Sequence, residues 1–298
     1  MPIKHLVLSG GGPTMLQTLG SIQYLEEQQF FNMNNIESMY GTSAGMLVAI
    51  LLCLKFDWET INDYIIKRPW QDVFKIQVQS IFDSYTNRGV FDIKTIEKCL
   101  KPLFDAKDIE LNITLEDFHH YCNIELHFFT FEVNEFQLVD VSYLTHPKLL
   151  LTQAILMTCA IPVLLTPFLN DGKCYIDGGI VCNYPLKYCV ESGKNHDEIL
   201  GFKNNYNTAN KNIVNNESTI LDFILSIIFK TIYSLASKHS EPTIKHEVVC
   251  NTELLTFQFL RTSLTSLETR QDLLNNGIQS GKDFLSTLDS KLELENGV

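Results

Sequence analysis

The stretch Ser38-Met39-Tyr40-Gly41-Thr42-Ser43-Ala44-Gly45, running on into the apolar Met46 to Leu54, decides the fold of this chain. Ser38 to Tyr40 reads as a short strand, and Met46 to Leu54 as an apolar helix. Between them Gly41-Thr42-Ser43-Ala44-Gly45 fits G-x-S-x-G, the sharp strand-to-helix turn that presents a nucleophilic serine. The spacing has a mechanical reason. A serine held in a strained backbone conformation projects its Oγ out of the turn, and a glycine two residues to each side lets strand and helix approach without a Cβ between them. The helix N-terminus behind the serine puts partial positive charge where an oxyanion would form.

A second unit of the same kind lies just upstream. Leu6-Val7-Leu8 is a short buried strand that ends in Gly10-Gly11-Gly12. Pro13 then suits the first turn of a helix carrying Met15, Leu16, Leu19, Ile22 and Leu25 on one face. Two strand-turn-helix units within the first 55 residues predict βαβ construction, an α/β fold around a central, mostly parallel sheet. Residues 56 to 120 read as more polar helices with an architectural role, Asn87-Arg88-Gly89 forming a turn. Leu126 to Phe131 and Gln137 to Val141 read as neighbouring strands, followed by a helix from about Lys148 to Cys159 that Ala160-Ile161-Pro162 stops. A strand at Cys174-Tyr175-Ile176 delivers Asp177-Gly178-Gly179, and Glu198 to Phe202 is one more strand.

From Lys203 to Asn216 the composition turns to Asn, Lys and Thr, which predicts a solvated polar loop near 203–218. A long apolar helix, a strand near Leu254 to Leu260 and a helix near Glu268 to Leu288 complete the C-terminal third. The expected organisation is a single domain, with a catalytic core over 5–190 and an extension over 191–298 packed on it. In the apolar helix, Thr219, Asp222, Ser226, Lys230 and Ser234 form one narrow polar stripe. Such a helix suits a lipid interface, the wall of an acyl pocket or the core, and the core is the reading preferred.

A serine hydroxyl needs a base, which is usually a histidine oriented by a carboxylate. None of His5, His119, His120, His127, His146, His196, His239 and His246 occupies a turn-like position after a strand that resembles a triad site. Asp177 is the alternative. A strand end followed by two glycines exposes its carboxylate, either as a base or as the cap of an ordinary Asp-Gly turn. Gly10, Gly11 and Gly12 can point backbone N–H groups at a single anion, a phosphate or a tetrahedral oxyanion. A dinucleotide fingerprint would need a glycine at position 15 and a well-placed acid about 20 residues on, but this chain has Met15 and only Glu37.

The chain has 298 residues, and 23 basic against 35 acidic side chains leave a formal net charge of −12. Nucleic-acid binding needs clustered Lys and Arg, so that class is excluded, and electrostatic adhesion to anionic lipid is disfavoured. With 45% hydrophobic and 19% charged residues the chain is globular. Its eight cysteines include no C-x-x-C pair and read as reduced, with Cys53, Cys99, Cys159, Cys182 and Cys189 in apolar stretches. Met1 to Gly10 has no long apolar core or cleavage site, so an intracellular location, cytoplasmic or peripheral to a membrane, is expected. Thr219 to Leu235 falls short of the ~20 apolar residues a spanning helix needs.

The three glycine and aspartate elements, in this order, resemble those of the patatin-like phospholipases. Further segments carry the likeness: Asn87-Arg88-Gly89-Val90-Phe91-Asp92, Thr158-Cys159-Ala160-Ile161-Pro162, Tyr175-Ile176-Asp177-Gly178-Gly179-Ile180 and Asn183-Tyr184-Pro185-Leu186. The resemblance covers about residues 5 to 190. It implies a three-layer α/β sandwich and a Ser–Asp dyad, with Ser43 as nucleophile and Asp177 as general base. Gly10, Gly11 and Gly12 become the oxyanion hole, and Gly41, Gly45, Gly178 and Gly179 support the two turns. The implied reaction is hydrolysis of fatty acyl esters of phospholipids or acylglycerols, with transient membrane contact and neither metal nor cofactor. The chain departs from the pattern at Thr14, where the family usually has Arg or Lys, and at Met15, where it has Gly. That departure leaves three expectations open: a slow enzyme, use of the Thr14 hydroxyl or the backbone instead, or a preference for another substrate. Two alternatives stand beside this one: a silent relative that binds lipid or a protein, and an ordinary Ser-His-Asp hydrolase.

Overall fold

The computed structural model describes residues 2–207, 214–236 and 242–295. β1 (His5–Leu8) has all four residues buried and leads through a turn of 3-10 helix, Gly12–Thr14, into α1 (Met15–Glu27). β2 (Ser38–Thr42), also wholly buried, feeds α2 (Ala44–Cys53). The polar region that follows holds α3 (Trp58–Lys67), α4 (Trp70–Val73), α5 (Val78–Asn87), the short β3 (Gly89–Phe91), α6 (Ile93–Asp105) and α7 (Leu115–Cys122). Next come β4 (Glu125–Glu132), β5 (Gln137–Val141), α8 (Leu151–Cys159), β6 (Val163–Leu165), β7 (Phe168–Asn170) and β8 (Lys173–Asp177). The chain continues through α9 (Leu186–Glu191), β9 (Ile199–Asn207), α10 (Ile220–Ala236), β10 (His246–Glu253), α11 (Phe257–Thr265) and α12 (Leu267–Glu295).

The main sheet runs β10-β9-β1-β2-β4-β8-β7, with β5 also on β4. The first five strands are parallel, and β8, β7 and β5 are antiparallel additions. Alternation along the strands sends side chains to two faces. Leu6, Leu8, Met39 and Phe128 enter the large core with α1, α2 and α8, while Val7, Tyr40 and Phe129 meet Leu186 and Cys189 of α9 on the other face. The result is the three-layer α/β arrangement with a mostly parallel centre.

One feature of the topology builds the site. β5 occupies one edge of β4 along residues 128–132. The other edge is shared: β2 pairs over 125–129 and β8, running the opposite way, over 130–132. β2 and β8 therefore arrive end to end, Thr42 opposite Phe129 and Asp177 opposite Thr130.

Three C-terminal expectations are corrected. The last strand is His246–Glu253, not 254–260, because the Thr256 hydroxyl accepts the Phe259 N–H at 2.8 Å and starts α11 there. Residues 203–207 are strand rather than loop, since β10 pairs with β9 residue by residue as far as Asn207 and sustains it where composition alone reads as loop. Residues 208–213 of the expected loop lie outside the described residues. α10 is not buried in the core, because α12, packed against α1 and β10, already fills that face. Instead α10 lies against the Gly178–Ile180 turn and α11. Leu225 and Ser226 are buried, whereas Ile220, Phe223 and Ile227 are exposed. Among the described residues no helix is long and apolar enough to cross a membrane.

Candidate active site

Ser43 sits between β2 and α2 with φ 53° and ψ −129°, a conformation costly for a residue with a side chain. The local sequence tolerates it because the crossing behind is close: a Cβ on Gly45 would stand 2.5 Å from the Leu8 carbonyl oxygen. The strained amide is also anchored. Ser43 N–H donates to Thr158 Oγ1 at 2.9 Å, and that hydroxyl donates to the Phe129 carbonyl at 2.6 Å. Thr158 thus ties the elbow to β4 through the end of α8. The same helix end receives the other half of the site, because Asp177 N–H donates to the Ala160 carbonyl at 3.1 Å.

Asp177 is 5% exposed. Its Oδ1 accepts the Gly179 N–H at 2.7 Å, so the cap expected of an Asp-Gly turn is present. A Cβ on Gly178 would fall 2.4 Å from the Phe129 carbonyl oxygen, which explains why the turn needs glycine there. Burial pushes the Asp177 carboxyl up to about 6, against the Ser43 side chain and the Gly179 amide, which both favour its charged form. No cation is among the groups acting on it.

The glycine turn stands beside this pair. The expectation for Gly10 is corrected: its N–H donates to the Asn183 carbonyl at 3.0 Å and so is not free for an oxyanion. Gly11 and Gly12 line one cavity of about 680 Å³ together with Ser43 and Asp177, and their N–H groups have no partner among the described residues. Gly12 has φ +57°, which favours the residue without a Cβ. Thr14 is 1% exposed, and its hydroxyl donates to the Gly11 carbonyl at 3.1 Å and accepts Asn204 Nδ2 at 2.9 Å. Its one proton is committed to the loop, so Thr14 holds the turn and leaves the donors to the backbone. Met15 packs against the core.

No histidine lines the cavity among the described residues. His5 is bonded to Ser38 at 2.8 Å, His127 to Asp140 at 2.7 Å, and His119 to the Ile124 carbonyl at 3.1 Å. His239 lies outside the described residues. Nor do three His, Cys, Asp or Glu side chains among the described residues converge as metal ligands. Ile228 and Phe229 of α10 form part of the cavity wall.

The chain has relatives among known proteins. The family model for patatin-like phospholipases matches residues 6–190. The chain belongs to the patatin-like phospholipase family. Within the reach of that match lie the elbow at Ser43, the glycine turn and the Asp177 turn. A probable lipid hydrolase, 463L, of Invertebrate iridescent virus 6 is 24% identical over 217 residues, covering 70% of this chain and 73% of that one. An uncharacterised protein, R571, of Acanthamoeba polyphaga mimivirus is 24% identical over 184 residues, 62% of this chain and 60% of that one. The match thus spans under two thirds of the mimivirus protein's length. The crystal structure of VipD from Legionella pneumophila shares the fold, with TM-score 0.59 and 19% identity over 96% of this chain and 67% of that one.

Sequence reading missed Thr158 as the anchor of the elbow, and Asn204 and Tyr206 as neighbours of the glycine turn. Asn183, which came only inside a family-like segment, also reaches the turn. No local pattern marks these contacts, because each depends on strands meeting across the sheet.

Proposed function

We propose that this chain is a lipid acyl hydrolase, cleaving fatty acyl esters of phospholipids or related glycerolipids through an acyl-Ser43 intermediate. The observation that carries the reading is the convergence on one cavity of Ser43, Asp177 and the Gly11 and Gly12 amides, which have no partner among the described residues. Asp177 takes the Ser43 proton as Oγ attacks the ester carbonyl. The tetrahedral oxyanion accepts hydrogen bonds from Gly11 and Gly12, aided by the N-terminus of α2. Protonated Asp177 then gives its proton to the leaving alcohol. Water, deprotonated by Asp177, attacks the acyl-enzyme and releases the fatty acid. A carboxylate raised to about 6 is still ionised at neutral pH and is a stronger base than an ordinary one.

Access to lipid is hydrophobic in this reading. α10 carries Ile228 and Phe229 on the cavity wall and Phe223 and Ile227 in the open, so one helix connects the pocket to the surface. Ser43→Ala tests the whole proposal. Removing the nucleophile of such a unit costs on the order of 10⁴–10⁶ in rate. The variant is therefore expected to lose fatty-acid release from defined phospholipid vesicles, followed by mass spectrometry, and to escape labelling by a fluorophosphonate. Native rates in the variant would refute the acyl-serine route.

A further inference from the structure

Asn183, Asn204, Tyr206 and Thr14 carry no charge, yet their hydrogen bonds converge on the glycine turn. The Gly10 carbonyl oxygen accepts Asn204 Nδ2 at 2.8 Å, Asn183 Nδ2 at 3.0 Å and the Tyr206 hydroxyl at 3.2 Å. A peptide oxygen has two lone pairs, so three donors crowd this one. The protons are accounted for. Asn204 spends its second N–H on Thr14 Oγ1, Asn183 spends its second on the Tyr206 oxygen at 3.2 Å, and Thr14 donates to the Gly11 carbonyl.

The other end of the Gly10–Gly11 peptide is the Gly11 N–H, which lacks a partner among the described residues and borders the cavity. This peptide stands next to the nucleophile, since a Cβ built on Gly10 would lie 3.1 Å from Ser43 Cβ. Resonance couples the two ends of a peptide group. Donors on its oxygen draw electron density from its nitrogen, and the N–H becomes a stronger donor, as in any polarised chain of hydrogen bonds.

We propose that Asn204 and Tyr206 of β9, with Asn183, are positioning residues that polarise the Gly10–Gly11 peptide and so strengthen the Gly11 N–H as the oxyanion donor. This rests on the acyl-Ser43 reading above and adds to it a neutral relay in a loop that holds no cation. The relay acts on the transition state, where the oxygen carries charge, and not on the neutral ester.

The test is the kinetics of Tyr206→Phe, which removes one oxygen, and of Asn204→Leu, on a p-nitrophenyl acyl ester. Tyr206→Phe is expected to lower kcat about 3- to 10-fold with KM unchanged. Asn204→Leu, which also frees the Thr14 contact, is expected to cost about 10²-fold, near the loss of one oxyanion donor. A separate readout distinguishes polarisation from simple packing. Inhibition by an alkyl trifluoromethyl ketone, which adds to serine as a tetrahedral oxyanion, should weaken by the same factor as kcat. Binding of the uncleavable ether analogue should stay within about two-fold. Equal losses for ketone and ether, or native kcat in Tyr206→Phe and Asn204→Leu while Ser43→Ala is inactive, would overturn the relay alone. Full hydrolysis by Ser43→Ala would instead remove the reading beneath it. If Asn204→Leu does not fold, Tyr206→Phe carries the test.

Discussion

β4 has a buried ionisable site on each of its edges, and the two are built on opposite principles. On one edge Asp177 stands opposite Thr130 with no countercharge, and burial raises its carboxyl to about 6. On the other, Asp140 stands opposite Phe129 and bonds His127 at 2.7 Å, while Glu125 approaches the far ring nitrogen at 3.4 Å. Burial works against charge on His127 too, but the bonds from Asp140 and Glu125 outweigh it and push the imidazole up to about 9. Tyr40 stacks on the ring at 4.1 Å. The paired site sets its imidazole between two carboxylates and so contributes to the fold; the other keeps a costly carboxylate with no countercharge among the described residues. The second lines the cavity that also holds Ser43. A buried carboxylate without a countercharge marks a candidate site for chemistry, and the contrast separates the two sites better than burial alone.

The largest effect that would sharpen this contrast is at Asp177. Asp177→Asn is expected to lower kcat/KM by about 10⁴, or ~5.5 kcal/mol, while making the protein more stable. The sign follows from linkage. A carboxyl at about 6 when folded and 3.8 when unfolded binds more protons in the native state between those values, so its ionisation lowers stability as pH rises through that window. Thermal or urea denaturation at pH 7 should show a gain of up to about 3 kcal/mol in Asp177→Asn, absent at pH 4. A variant less stable than native at pH 7 would break the comparison. The same carboxyl sets the native pH profile: kcat/KM should rise through about 6 and level above it, whereas a midpoint near 4 would mean that Asp177 is not the base.

His127→Gln is the converse experiment. It leaves Asp140 and Glu125 without their cation and is expected to cost roughly 2–3 kcal/mol of stability, with kcat within about two-fold of native. Because the folded pKa lies above the unfolded 6.5, this contribution is complete below that value and is lost as pH rises through about 9. Native protein should therefore lose stability between those values and His127→Gln should not. The smallest effect concerns the apolar wall. Phe223→Ser with Ile227→Ser on α10 is expected to weaken binding to neutral phosphatidylcholine vesicles by roughly 1–3 kcal/mol, and native binding should survive high salt, as co-sedimentation would show.

The elbow was legible because strand, turn and helix are contiguous, and Ser43 needed no distant contact to be recognised. Asp177 is different. Its turn is local, but its proposed role as base rests on the family likeness, since the residues alone leave an ordinary capped turn open, and the Gly179 cap is present. The parallel sheet is legible in the two strand-turn-helix units, and the β4–β5 pair in the strand-rich runs Leu126 to Phe131 and Gln137 to Val141. The β10 region did not, because Leu254 and Leu255 invite a strand while the Thr256 cap starts a helix. Asn204 and Tyr206 were hidden by composition: polar residues in a strand read as loop until β10 and the glycine turn give their backbone and side chains partners. Thr158 was visible only as part of a helix end, since both groups it joins arrive from other strands.

The meeting of β2 and β8 on one edge of β4 makes the proposed catalysis a matter of register. Thr42 and Asp177 face consecutive residues of the same strand, so the gap between the proposed nucleophile and base is measured off in steps of about 3.3 Å along a central backbone. A slip of β8 by one residue would move the carboxylate by one such step and turn its side chain to the opposite face. Graded loosening is thus unavailable to this site. Lengthening the β7–β8 hairpin by one or two residues should leave either a native enzyme, with the insertion absorbed in the loop, or a folded and inert one.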